Sequence, residues 1–169
     1  DELGGEDPYS ASKASAELAI QSYIKAIFLK KENINIGIGR AGNVIGGGDW
    51  ANYRLVPDCI RAWSKSDCVD IRNPKSTRPW QHVFEPLSGY LNFAIKLNNN
   101  SELKNEIFNF GPGFQNTYTV KDLVLKMSKY WDKVQWNDVS KNYSGLKETN
   151  LLQLNCEKAV LLLNWKSNW

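Results

Sequence analysis

The chain has 169 residues, of which 42% are hydrophobic, enough to bury one substantial core, and the length alone favours a single domain. Its net charge of +3 arises from 21 basic and 18 acidic residues spread without a basic run, which excludes the charge signature of nucleic-acid binding and suits an anionic small substrate. No apolar stretch is long enough to span a membrane, and no charged-then-apolar leader opens the chain.

The first element is a helix start at Asp7-Pro8-Tyr9-Ser10-Ala11-Ser12-Lys13. Asp7 suits the N-cap and Pro8 the first helical position, whose N–H has no partner within the helix. The i to i+4 spacing then puts the Tyr9 phenol and the Lys13 ammonium on one face. An ammonium beside a phenol favours the phenolate, so the pair predicts a tyrosine equipped for acid/base work on a hydroxyl. The spacing recurs at Tyr143 and Lys147, within a polar stretch that has no helical period, and that copy reads as chance.

Leu18, Ile20, Tyr23, Ile24, Ile27 and Phe28 continue the helix to about Lys31 as its inward face. A strand is expected over residues 33–40, where apolar residues alternate with small or polar ones. Gly37, Gly39 and Gly42 match a dinucleotide-binding fingerprint, with Asp58 at a fitting distance. The match is rejected, because those glycines must turn a strand into a helix and residues 43–50 cannot start one. Residues 41–54 instead form a Gly-rich loop beyond the strand's C-terminal end, where open α/β sheets present ligand-binding groups, and this singles out Asn43.

A helix over 55–66, a strand over 68–71 and a turn at 72–74 come next. Residues 76–83 read as extended and hold Arg78 between Thr77 and Pro79, a guanidinium among rigid neighbours suited to a diphosphate. A helix over 86–97 is expected to turn Leu87, Tyr90, Leu91, Ala94 and Ile95 inward. A strand at 107–110 ends in Gly111-Pro112-Gly113. The remaining expectations are a capped helix at 119–131, short strands at 134–136 and 151–154, and a helix at 157–163. Alternating helices and strands indicate an α/β fold. Cys59, Cys68 and Cys156 are odd in number and widely spaced, and His82 is the only histidine. No disulfide framework or metal site is expected, and a reducing cytoplasm fits best. The chain opens at Asp1 without a methionine and stops in mid-pattern, as a piece of a longer protein would.

Together these stretches resemble the extended short-chain dehydrogenase/reductase family, in its nucleotide-sugar dehydratase branch. The resemblance is carried by Asp7 to Lys13, Arg40 to Trp50, Arg54 to Asp58, Ile71 to Pro74, Arg78 to Val83, Glu85 to Tyr90 and Asn109 to Pro112. Pro79-Trp80 replaces the family's usual Asp-aromatic pair and favours a dehydratase over an epimerase. The resemblance implies the C-terminal part of an NAD(P)-binding Rossmann-like fold. Residues 1–42 would be its last helix and strand, and 43–169 its smaller substrate-binding α/β region.

The implied chemistry is that of a lyase that uses NAD transiently to convert CDP-glucose to a 4-keto-6-deoxy product in cytoplasmic deoxysugar and polysaccharide biosynthesis. Tyr9 would be the base and Lys13 its partner at the nicotinamide ribose, with Arg40 and Ala41 also on the cofactor side. Asn43, Arg54, Leu55, Arg72, Arg78, Trp80 and Glu148 would line the substrate site. A homo-oligomer is implied for the full-length protein. The family's main NAD-binding motif would precede Asp1, so the isolated chain is expected to be inactive and to expose an uncovered strand edge and helix face. Two other readings stay open: another nucleotide-sugar dehydratase or epimerase, and a module that binds a nucleotide sugar without turning it over.

Overall fold

The Asp7 carboxylate accepts the backbone N–H groups of Tyr9 at 2.9 Å and Ser10 at 3.0 Å, satisfying two donors that a helix start leaves open. Pro8 follows at N1, and the first helix, α1, spans Pro8–Tyr23. The computed structural model describes residues 3–4, 7–31, 33–113, 117–142 and 151–169. In chain order the further elements are β1 Ile38–Ala41, β2 Val44–Ile45, α2 Leu55–Ser64, β3 Val69–Ile71, β4 Thr77–Arg78, β5 Gln81–His82, α3 Phe84–Asn99, β6 Ile107–Phe110, β7 Tyr118–Thr119, α4 Val120–Met127, β8 Trp136–Asp138 and α5 Glu157–Leu163. Among the described residues no helix is long and apolar enough to cross a membrane.

Three pairings are parallel: β1 with β6, β2 with β5, and β3 with β8. The fourth, β4 with β7, is antiparallel. Parallel pairs need crossover connections, which the intervening helices supply, and this is the α/β arrangement expected from the alternating pattern. The strand expected from residue 33 forms only at Ile38, and the one expected at 134–136 lies at Trp136–Asp138. Residues 151–154 form no strand. Apolar patterning marks where a strand can form, whereas one exists only where a neighbour supplies the ladder.

Two cores hold these elements. One joins Phe93 and Leu97 of α3, Phe108 and Phe110 of β6, Ala159 and Leu163 of α5, Leu103 and Trp165. The Phe93 and Phe108 rings meet edge to face at 4.6 Å between centroids, and those of Phe110 and Trp165 at 4.9 Å. The second joins Cys59 and Trp63 of α2, Ile71 of β3 and Val124 of α4. There the Trp63 Nε1–H donates to the Gln135 carbonyl at 2.9 Å, so the indole is buried with its polar atom satisfied. Fully burying such an apolar side chain stabilises the fold by roughly 1.5–3 kcal/mol.

Two helix faces differ from expectation. In α3 the buried residues are Glu85, Pro86, Gly89, Phe93 and Leu97, while Leu87, Leu91, Ala94 and Ile95, expected inward, are exposed; Tyr90, partly exposed, still meets the Phe110 ring edge to face at 5.3 Å. The Phe110 ring presses on Gly89 so closely that a Cβ there would overlap it. The helix therefore approaches β6 through its glycine, and the aliphatic stripe faces away. In α1, Leu18, Ile20, Tyr23 and Ile27 are likewise exposed, and Ile24 is the buried apolar residue of that expected face. The helix runs into a wider π turn, Ile24–Phe28, in which the Leu29 N–H donates to the Ile24 carbonyl. That extra residue shifts the later side chains off the 3.6-residue stripe.

Candidate functional site

The loop following β2 opens a cleft of about 560 Å3, within the range that encloses small ligands. Its walls come from separate parts of the chain. Asn43 and Gly46 to Trp50 contribute the β2 end, Arg54 and Leu55 the start of α2, Arg72 and Asn73 the turn after β3, and Arg78 and Trp80 the β4–β5 segment. The Gln81 N–H donates to the Asn43 carbonyl at 3.0 Å, which fastens the first wall to the last. The cleft thus gathers Asn43, Arg54, Leu55, Arg72, Arg78 and Trp80, all expected at the substrate. Glu148, the seventh, lies outside the described residues.

Three guanidinium groups share this cleft with Asp49, Asp58 and Asp70. Each of those acids has a partner: Asp58 pairs with Arg61, Asp70 accepts from Asn137 at 3.2 Å, and Asp49 accepts the Ala51 N–H at 3.1 Å. Arg78 is pinned by donation from Nη1 to the Thr77 carbonyl at 2.8 Å. The Trp80 indole lines the wall, and its Nε1 is buried without a hydrogen-bond partner among the described residues. Arginines held at a polar, concave wall are suited to phosphate oxygens.

Sequence reasoning missed Trp50, Tyr53 and Asn73 as lining residues. Tyr53 has φ of +63°, a left-handed conformation unusual for a bulky residue and costly unless its surroundings fix it. Trp50 and Tyr53 are both exposed, 61% and 85%, although both are aromatic. The signal in the sequence was that both rings lie in the same loop, shortly after the Gly46-Gly47-Gly48 run.

Tyr9 and Lys13 do not line this cleft. They stand together on the first turns of α1, with the Lys13 ammonium 5.4 Å from the centre of the Tyr9 ring and the phenol 65% exposed. The Asp7 cap fixes that turn, and its hydrogen bonds to the Ser10 hydroxyl and the Ser10 N–H hold the Asp7 carboxyl below the usual carboxylate range. Ala41 ends β1 and pairs with Phe110. Arg40, expected on the cofactor side, reaches back to α1, where its Nε donates to Glu17 Oε2 at 2.8 Å and its Nη2 to Glu17 Oε1. That hydrogen-bonded pairing keeps the Glu17 carboxyl below its ordinary value.

The glycines of the rejected fingerprint serve packing. A Cβ on Gly39 would come within 2.8 Å of the Tyr90 ring, and one on Gly42 within 2.6 Å of Pro79. The segment leads into β2 and not into a helix, so it has no helix N-terminus to meet a pyrophosphate. Tyr9 and Lys13, expected at the nicotinamide end of a dinucleotide, stand exposed on α1, and the segment after Gly42 offers no helix N-terminus for a pyrophosphate. His82, the lone histidine, lies edge to face with Phe84 at 4.9 Å and Trp169 at 5.1 Å. No cluster of metal-ligating side chains occurs among the described residues.

No protein-family model matches the chain. A CDP-glucose 4,6-dehydratase of Salmonella typhimurium is 43% identical over 172 residues, an alignment that covers 99% of this chain and 47% of that protein. The chain is a relative of that dehydratase. It spans about half the length of the curated relative it matches. The solved UDP-glucuronic acid 4-epimerase of Bacillus cereus superposes with a TM-score of 0.80 at 18% identity, covering all of this chain and 52% of that one. A dTDP-glucose 4,6-dehydratase of Streptomyces venezuelae gives 0.76 at 18% identity, covering 99% and 48%. The chain therefore has the fold of about half of these nucleotide-sugar dehydratase and epimerase structures.

Proposed function

We propose that this chain is the substrate-binding part of a nucleotide-sugar 4,6-dehydratase acting on CDP-glucose. The observation that carries the reading is the cleft beyond β2, which gathers Asn43, Arg54, Arg72, Arg78 and Trp80 from four separate stretches in a chain 43% identical to a CDP-glucose 4,6-dehydratase. Arg78 and Arg72 grip the diphosphate, Arg54 supports it from the exposed rim, and Asn43 fixes its position at the end of β2. Trp80, Leu55 and the exposed rings of Trp50 and Tyr53 border the nucleoside. Glu148 is assigned to its ribose.

Tyr9 takes the proton from the sugar C4 hydroxyl, and Lys13 holds positive charge beside the phenol and binds the nicotinamide ribose. NAD, held at its nicotinamide ribose by Lys13, would supply a transient acceptor for the C4 hydride and the hydride for C6 after water is lost across C5 and C6. The hydride lost at C4 and the one gained at C6 cancel, so the substrate undergoes no net oxidation, and the proton taken by Tyr9 together with the hydroxide lost from C6 makes up the water released. Since Tyr9 and Lys13 lie outside the cleft walls, the sugar must project from the diphosphate site toward α1.

The full-length protein should convert CDP-glucose to its 4-keto-6-deoxy product, and UDP- and dTDP-glucose poorly or not at all. Product formed equally from UDP- or dTDP-glucose would assign another dehydratase. Binding without product in the presence of NAD would support a non-catalytic module and refute the reading.

A further inference from the structure

Tyr9, Lys13 and Glu17 follow one another at four-residue steps on α1, so they form a single stripe that drifts by about 40° per step. Glu17 is the buried residue of this helix. Its carboxylate is forked by Arg40 of β1, with Nε to Oε2 at 2.8 Å and Nη2 to Oε1, and Gln21 Nε2 donates to Oε1 at 3.2 Å. The two charged side chains are only 10% and 26% exposed. A bidentate fork fixes orientation as well as distance, because both N–H bonds must lie in the carboxylate plane. Ser10, Ala14, Glu17 and Gln21 form the covered line of α1, leading to the buried Ile24, while its other faces are exposed, and along that line the fork is the charged contact that ties the helix's rotation to β1.

We propose that Glu17 and Arg40 are the positioning pair of the site, holding the Tyr9 and Lys13 stripe at its working angle, and that Arg40 acts through Glu17 without touching the cofactor. The inference rests on Tyr9 being the base of the proposed reaction. The fork also silences a carboxylate one turn from Lys13. Without Arg40, Glu17 would attract the Lys13 ammonium at i,i+4 spacing and draw it from the phenol. The other charged groups lining the hollow beside Arg40 are Glu157 and Lys158 of α5, and Lys158 is itself paired with Glu106.

The test uses the full-length protein with CDP-glucose and NAD. R40M should lower kcat about 10- to 100-fold, the scale of a displacement near 1 Å from productive geometry. Affinity for CDP-glucose should stay within about twofold, since the diphosphate grip is elsewhere. E17Q/R40M should recover part of the R40M loss, because the stranded carboxylate is gone. In a Y9F background R40M should change the residual turnover by less than about threefold, the signature of action through Tyr9. R40K, which keeps the charge and loses the planar fork, carries the same comparisons if R40M does not fold. Unchanged kcat in the arginine variant would overturn the inference. So would an equal loss with and without Tyr9, which marks a merely structural role. Normal turnover in Y9F alone would bring down the reading of Tyr9 and this inference with it, whereas a Y9F loss beside a fully active R40M brings down this inference alone.

Discussion

Replacing Arg78 by alanine should weaken CDP-glucose binding far more than the same change at Arg54, for reasons that lie in how the two side chains are held. Arg78 is half-buried in β4, between Thr77 and the buried Pro79, and its Nη1 is fixed on the Thr77 carbonyl. A side chain already ordered avoids the roughly 0.5–1.5 kcal/mol of entropy that binding otherwise takes from a free one. The full contribution of a hydrogen bond to a charged group, about 1.5–3 kcal/mol, should therefore appear in the affinity. At 1.4 kcal/mol per tenfold, that is an increase in Kd of about 10- to 150-fold. Arg54 is exposed at the α2 start and has no hydrogen bond to the helix cap, so its loss should resemble that of a surface charge, about 0–1 kcal/mol or at most fivefold. Calorimetric titration of the full-length variants with CDP-glucose measures both. Unchanged affinity in a folded R78A protein, or equal losses in R78A and R54A, would refute the assignment of Arg78 as the anchored diphosphate ligand.

Y9F removes only the ionisable hydroxyl, so turnover of the full-length enzyme should fall about 10²- to 10⁴-fold while nucleotide-sugar affinity is kept; near-normal turnover would remove Tyr9 from the mechanism. The Glu17 carboxyl titrates below its ordinary 4.5 in the folded chain, so its contribution to stability is present above that value and disappears as pH falls through the folded value. Urea unfolding of wild type and E17Q should accordingly differ at neutral pH and converge on acidification; a gap that persists in acid would count against the linkage. Burial pushes the Cys59 thiol up to about 12 and leaves it without solvent contact, whereas Cys68 is exposed. A thiol reagent at mildly alkaline pH should modify Cys68 first and Cys59 only on unfolding, and mass spectrometry showing early Cys59 labelling would contradict the α2 packing.

Sequence alone determined what depends on near neighbours. The Asp7 cap, the Pro8 start and the Tyr9 to Lys13 spacing are local, as is the Thr119 cap, where the side chains of Thr119 and Asp122 each bond the other's backbone N–H. The glycine fingerprint could be dismissed from the residues after it, because a helix N-terminus is also a local property. The α/β class followed from the alternating elements, and the loop beyond the first strand was legible as a ligand-facing end. Tertiary structure decided which face of each element is covered. Counting aliphatics chose Leu87, Leu91 and Ile95 for the inside of α3, but contact with Phe110 required a glycine, and Gly89 faces the core instead. A periodic pattern records which residues avoid water, and only the partner surface determines which of them succeed. The same reason governs the site. That Arg54, Arg72 and Arg78 share one cleft depends on the β2–β5 and β4–β7 pairings, and that Arg40 turns back to Glu17 depends on where β1 lies against α1. These are contacts between residues distant in the chain, which no local spacing encodes.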